Sequence, residues 1–284
     1  MATQTFVERL LAVQQRNNSR VCVGLDPDID KMPRGRGGGI FGHGPTKRRV
    51  HDFALRIVEV TAPYACIFKP NAAFWVALGA EEELAMVIDF IHSEGLPVIL
   101  DAKRGDIGNT ARLYAHECFV RHNADAVTVN AYLGTDTLAP WLEHGPGRGI
   151  FVLSHTSNPG AGEFQEKTLD GEDPQPLFIE VARKATGCQT SETACVGLVM
   201  GATFPDQLGM LAQAGIPETT PLLIPGVGKQ EGALAETLAH ARRYPFVVNS
   251  SRGIIHASQG RNFAEVAAQK AQELRDQINA ALAA

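Results

Sequence analysis

Apolar residues in this chain gather in short, nearly unbroken runs, and several runs end in polar or small residues. VCVGLD (21–26), ACIFK (65–69), PVILD (97–101), AVTVN (126–130), GIFVL (149–153), CVGLVM (195–200), PLLIP (221–225) and FVVNS (246–250) make eight such runs. A strand with one wet face alternates apolar and polar residues. A run without alternation suits a parallel strand covered on both faces. Between the runs lie helical patterns, clearest over 47–62, 81–94, 110–122, 204–214, 231–242 and 263–282, with Thr46, Asn109 and Asn262 as candidate N-caps. Strand followed by helix, eight times over, predicts an α/β protein of the (β/α)8 TIM-barrel class, with a doubly wound open sheet as the alternative. A barrel of this kind commonly takes ~250 residues in one domain. The 284 residues therefore read as a single domain, 1–284, with an N-terminal helix.

Two segments break this rhythm. PRGRGGGIFGHG (33–44) is a glycine-rich, basic insert after the first strand, and 158–176 reads as a long loop after the fifth. Both follow strands, on the face where barrels place their chemistry. The glycine-rich insert fits a mobile loop better than an RNA-binding tail.

Composition narrows the function classes. Net charge is −5, which gives no electrostatic reason to bind nucleic acid. No apolar run approaches the ~20 residues that span a bilayer. The first residues lack a basic start, an apolar stretch and a cleavage site, so they read as an amphipathic helix and a cytoplasmic location is the default. The five cysteines, with no CxxC, read as small buried hydrophobes. The nine histidines show no ligand spacing, and no tightly held metal is expected.

Charge begins abruptly where two runs stop. Lys69 ends the second, and Asp101, Lys103 and Asp106 follow the third in DAKRGDIGNTA (101–111). Side chains on a strand repeat every two residues, so Asp101 and Lys103 should share a side if the strand continues. Parallel neighbours bring their C-terminal ends together, which allows Lys69, Asp101 and Lys103 to meet at one mouth. At ~4 Å and an effective dielectric of 20, one Lys–Asp contact is worth roughly 4 kcal/mol of Coulomb energy. An ammonium held so firmly can stabilise a developing carbanion and then protonate it. A carboxylate beside a substrate carboxylate favours its loss. A second grip is offered by PGVGKQ (225–230) after the seventh run and NSSRG (249–253) after the eighth, where barrels often hold phosphate. Gly228 and Gly253 let backbone N–H groups approach an anion, and Arg252 offers paired donors.

Together these motifs resemble the orotidine 5′-phosphate decarboxylase family, in its longer bacterial subgroup. The resemblance runs from LDPD (25–28) to SRGI (251–254) and includes the family's D-x-K-x-x-D signature, its phosphate loops and, in SNPGA (157–161), its loop after the fifth strand. It implies conversion of orotidine 5′-monophosphate to UMP and CO2, the last step of pyrimidine nucleotide synthesis, without a cofactor. Lys103 is then expected to protonate C6, with Asp101 near the departing carboxylate and Lys69 and Asp26 on the ribose. Asp106, with Ile107 and Thr110 beside it, is expected to serve the neighbouring subunit's site in a homodimer. Ser157 would read the pyrimidine amide edge. Gln230 would bridge towards Ser157 and, with Gly228, Ser251, Arg252 and Gly253, hold the phosphate. Lys229 and the 33–44 insert depart from the family pattern. The rivals are a Mg2+-dependent sugar-phosphate decarboxylase, a Schiff-base aldolase, a catalytically silent phosphate binder and, through 33–44, an RNA binder.

Overall fold

The computed structural model describes residues 4–33, 46–171, 174–203, 205–226 and 231–284; most of the 33–44 insert, with Gly228, Lys229 and Gln230, lies outside them. All eight apolar runs form strands: β1 Val21–Leu25, β2 Ile67–Pro70, β3 Ile99–Arg104, β4 Ala126–Val129, β5 Gly149–His155, β6 Cys195–Met200, β7 Leu222–Pro225 and β8 Phe246–Ser250. They pair in parallel in the order β2-β1-β8-β7-β6-β5-β4-β3. Bridges from Phe68 to Val98 and from Asn71 to Asp101 join β2 to β3, closing the barrel. Every residue of β1, β2, β4 and β6 is buried, which is why these segments carry no polar alternation.

The helices are α1 Phe6–Asn17, α2 Thr46–Thr61, α3 Ala72–Val76, α4 Glu81–Ser93, α5 Gly108–His116, α6 Ala139–Leu142, α7 Leu177–Thr186, α8 Pro205–Gln213, α9 Glu231–Ala241, α10 Arg252–Ile255 and α11 Phe263–Ala283. Four of them, α3, α6, α7 and α10, are not among the helices expected from the sequence; they have ten residues or fewer, too short for a clear helical period. The expected N-caps fare poorly. Thr46 is the first helical residue of α2, Asn109 lies inside α5, and Asn262 sits at the cap of α11 but makes no capping bond. The 158–176 loop is not structureless. It holds a 3-10 turn, Pro159–Glu163, and a two-residue hairpin pairing Thr168 with Pro176.

Helix α1 closes the N-terminal end of the barrel. Its start is secured by a capping box between Thr5 and Glu8. Phe6 lies so close to the first residue of β5 that a Cβ on Gly149 would come within 2.9 Å of its ring, and it meets Phe151 edge-on at 6.0 Å. Gln14 donates to the Phe246 carbonyl at the start of β8. Beside these contacts, the buried Asp125 gathers Arg9 of α1 at 2.9 Å, His92 of α4 at 2.8 Å and the Val98 N–H ahead of β3 at 2.8 Å. Burial alone would raise the Asp125 pKa, but His92, Arg9 and the Val98 N–H outweigh it and hold the carboxyl below its usual range.

Asp125→Ala is therefore expected to destabilise the protein by roughly 3 kcal/mol, since it strips a partner from a buried N–H and from a half-buried guanidinium. The sign of the pH dependence follows from the lowered folded-state pKa. Asp125's contribution is complete above the unfolded value of about 4 and is lost as pH falls through the lower folded value. Urea melts at pH 7 and pH 3 check both: the gap between wild type and variant should shrink at the lower pH.

Candidate active site

Strand β3 does not run on regularly to its charged end. Its pairing with β4 shifts register between Leu100 and Arg104, and Lys103 has a left-handed backbone, φ +47°. For a residue with a Cβ this conformation costs about 1–2 kcal/mol. The simple two-residue repeat expected from the sequence therefore does not operate at Lys103. Asp101 and Lys103 meet nonetheless, because Thr128 of β4 locks the bulge. Its hydroxyl accepts the Lys103 N–H at 3.0 Å and donates to Asp101 Oδ1 at 2.8 Å.

Asp101 is the hub. Its Oδ2 accepts from Lys69 Nζ at 2.6 Å, and its Oδ1 from Lys103 Nζ at 2.5 Å. Lys69 is 4% exposed and Asp101 7%, whereas half of the Lys103 side chain is open to solvent. Burial opposes ionisation of Asp101, but the two ammonium groups prevail and hold its pKa well below the usual carboxylate range. Burial likewise opposes the charge on Lys69, and Asp101 followed by Asp26 outweighs it, raising the Lys69 pKa. Both groups are thus ionised at neutral pH. The buried thiols Cys22, Cys118 and Cys195 are each pushed up to about 12 by desolvation and are not nucleophiles here.

The neighbouring strand ends complete a cleft of about 410 Å³ whose lining includes Lys69, Asp101, Lys103, Thr128, Ser157, Asn158, Gln165 and Pro225. Gly24 of β1 stands level with Lys69. A Cβ on Gly24 would come within 2.6 Å of the Ser251 Cβ, so the end of β1 touches the segment after β8. Two buried polar atoms here have no protein partner among the described residues: Asp26 Oδ1 and Ser251 Oγ. Such an atom calls for an explanation, and a polar ligand or ordered water supplies one at the mouth of a cleft. Ser157 is pressed against the ends of β6 and β7. A Cβ on Gly201 would lie 2.9 Å from the Ser157 backbone, and Gly226, with φ +93°, leaves 3.0 Å to the Ser157 Cβ. Arg252 opens α10 directly after β8 and is exposed, with no carboxylate pairing it among the described residues.

Asp106, Ile107 and Thr110 do not join this cluster within one chain. Asp106 Oδ1 accepts the N–H of Ile107, and Ile107 and Thr110 face solvent. The larger cavity at the opposite end, about 880 Å³, is lined by Arg9, His92, Asp125 and Arg148. Those side chains are already engaged in fastening α1 and the strand starts, and barrels place their chemistry at the other mouth.

Relatives of this sequence carry the same frame. The profile of the "Orotidine 5′-phosphate decarboxylase / HUMPS family" matches residues 19–267. The chain belongs to this family. It is 44% identical to the orotidine 5′-phosphate decarboxylase of Cupriavidus necator, covering 97% of this chain and 98% of that one. Against that of Variovorax paradoxus it is also 44% identical, over 98% and 99%. The fold is similar to that of the OMP decarboxylase of Leishmania donovani, with a TM-score of 0.79, 33% identity and coverage of 99% and 100%. The family is one of TIM-barrel enzymes, as the closed eight-stranded sheet of this chain requires.

Three cleft residues escaped the sequence reading: Thr128, Thr156 and Gln165. Thr128 carried a signal, a hydroxyl within the otherwise apolar AVTV strand. Thr156 and Gln165 carried none, because their pairing depends on how the 158–176 loop folds back.

Two substitutions separate charge from backbone strain. Asp101→Asn leaves the Lys69 ammonium buried without its main counter-charge and is expected to cost about 3–5 kcal/mol in urea denaturation. At position 103 the left-handed backbone favours glycine. Lys103→Gly should be more stable than Lys103→Ala by about 1 kcal/mol, although both lack the ammonium.

Proposed function

We propose that this chain removes CO2 from orotidine 5′-monophosphate to give UMP, without a cofactor, as the last step of pyrimidine nucleotide synthesis. The observation that carries the reading is the buried Asp101 bound at once to Lys69 and Lys103 on the floor of the cleft. The named activity of the relatives supports it. The C6–carboxylate bond breaks, CO2 departs, and the electron pair remains on C6 in the ring plane, where delocalisation is poor. The Lys103 ammonium stabilises that pair and passes it a proton, and solvent restores the lysine. Asp101, held ionised, lies beside the substrate carboxylate and disfavours the bound ground state. The largest enzymatic accelerations correspond to about 23 kcal/mol or more, beyond one lysine, so binding energy from the rest of the nucleotide has to be spent at the reacting carbon.

In this reading Asp26 Oδ1 and Lys69 hold the ribose hydroxyls, which gives the orphaned carboxylate oxygen a partner. Ser157 reads the amide edge of the base. Gly228, Gln230, Ser251, Arg252 and Gly253 hold the phosphate, with Gln230 also reaching towards Ser157. A Schiff-base route needs a neutral amine, and the raised pKa of Lys69 opposes it.

The second half of the site comes from another copy of the chain. Asp106, Ile107 and Thr110 do not line their own cleft, and in this reading they reach the partner's in a homodimer. Exposed apolar residues on the same flank, Ile107, Leu113 and Val120 around α5 and Tyr132 and Leu133 after β4, support this arrangement.

Purified protein is expected to consume orotidine 5′-monophosphate, followed by ultraviolet absorbance, in excess EDTA. Lys103→Ala should lose that turnover; full activity in the variant, or dependence on added Mg2+, refutes the mechanism. Lys103→Ala and Asp106→Ala chains, each inactive alone, should regain roughly a quarter of wild-type activity when unfolded and refolded together, because half of randomly assembled two-fold dimers carry one intact site. No recovery in verified mixed dimers would put Asp106 in its own chain's site or outside the chemistry.

A further inference from the structure

The loop after β5 is tied back on itself by a set of directed hydrogen bonds. Gln165 Oε1 accepts the Thr156 N–H at 2.8 Å, and Gln165 Nε2 donates to Thr156 Oγ1 at 2.8 Å. The Thr156 hydroxyl then has two acceptors within reach, Asn158 Oδ1 at 2.6 Å and Gln165 Oε1 at 3.2 Å. The contact to Asn158 is the shorter, and the Gln165 amide already presents its Nε2 donor to this hydroxyl, so its proton is directed to Asn158. With one lone pair of its oxygen taken by the Thr156 hydroxyl, the Asn158 amide is oriented, and its N–H groups are the donors it can turn to a ligand. No acceptor among the described residues takes them, and Asn158 lines the same cleft as Lys103.

The base of the relay is rigid. The Gln165 carbonyl accepts the Phe178 N–H at 2.9 Å, and the Phe178 carbonyl accepts from Ser154 Oγ at 2.9 Å. The next residue, Glu166, holds the fully buried His155 at 3.0 Å. Residues 165 and 166 are thus fastened to 155 and 156, immediately before Ser157. A donor whose direction is set before the ligand arrives loses little entropy on binding.

We infer that Gln165 and Thr156 are positioning residues that turn Asn158 into a fixed hydrogen-bond donor for a ring carbonyl oxygen of the bound pyrimidine. This inference rests on the reading of the cleft as a pyrimidine nucleotide site and adds a specificity determinant to it. The polarity is the essential element. A glutamate at 165 has nearly the same size and still accepts the Thr156 N–H, but it cannot donate to Oγ1. It draws the hydroxyl proton to itself, leaves Asn158 Oδ1 unpaired, and lets the amide turn its oxygen towards the ligand.

The test compares UMP with ribose 5-phosphate, which lacks the base, as ligands of the full-length protein by calorimetry, beside steady-state kinetics with orotidine 5′-monophosphate. Thr156→Val and Gln165→Glu are expected to weaken UMP binding and raise KM about tenfold, the size of one lost hydrogen bond. Ribose 5-phosphate affinity should stay within about twofold of wild type and kcat should fall less than KM rises, because the phosphate grip and Lys103 are untouched. Thr156→Ser, which keeps the hydroxyl, should restore wild-type behaviour. If Thr156→Val does not fold, Gln165→Glu carries the test. Equal weakening of both ligands, or wild-type UMP affinity in Gln165→Glu, overturns the relay. A wild-type protein that binds neither UMP nor orotidine 5′-monophosphate overturns instead the nucleotide reading beneath it.

Discussion

A single buried carboxylate carries two ammonium groups at the mouth of this barrel, and the site is arranged around that constraint. Asp101 is nearly closed to water and depends on these lysines for its counter-charge, and the buried Lys69 depends on Asp101 in turn. Lys69 is supplied by β2, which reaches β3 only through isolated bridges, one of them at Asp101 itself. The ion pair and the closing seam of the barrel therefore coincide. Lys103 reaches the same carboxylate only through a bulge and a left-handed residue, a local cost that Thr128 holds in place with two hydrogen bonds.

The two ends of the barrel use the same chemistry for different purposes. At the N-terminal end, Asp125 also gathers cationic and N–H partners, but from α1, α4 and the start of β3, and both of its own oxygens are paired, although Arg9 Nε has no partner among the described residues. At the C-terminal end satisfaction is incomplete: Asp26 Oδ1 and Ser251 Oγ are buried and unpaired, and Lys103 is half exposed. A polar ligand or an ordered water would satisfy the two orphaned oxygens. With the half-exposed Lys103 and the general placement of barrel chemistry, they mark the C-terminal mouth better than cavity size does, since the larger cavity lies at the N-terminal end.

The loops over the cleft are held less by regular structure than by side chains acting on backbone. The 158–176 segment folds back through Gln165 and Glu166, and glycines at 201 and 226 admit Ser157 against the strand ends. In the proposed reading, base recognition, charge placement and phosphate binding rest on different strand ends, which meet where Gly226 admits Ser157. A change at one of them is expected to alter one part of substrate binding while leaving the others in place.

The eight strands were legible in the chain because burial on both faces leaves an unbroken apolar run. The charged strand ends were legible because Lys, Asp and Lys at adjacent strand ends are rarer than a single charge after a strand, which a solvated rim explains. Lys69, Asp101 and Lys103 could be named from that pattern, and the family resemblance supplied their roles. The route by which they meet could not be read, because a strand repeat says nothing of a bulge stabilised from the next strand by Thr128. Helix ends were poorly legible too: Asn109 looked like a cap and is an interior residue of α5, since a favourable cap side chain is common wherever polar residues cluster. Gln165, nine residues beyond Thr156, became part of the cleft only when the loop turned back. Local patterns of burial determine which segments form strands; only the tertiary structure decides which polar groups face one another, because hydrogen bonds and ion pairs depend on distance and direction between residues that the chain keeps apart.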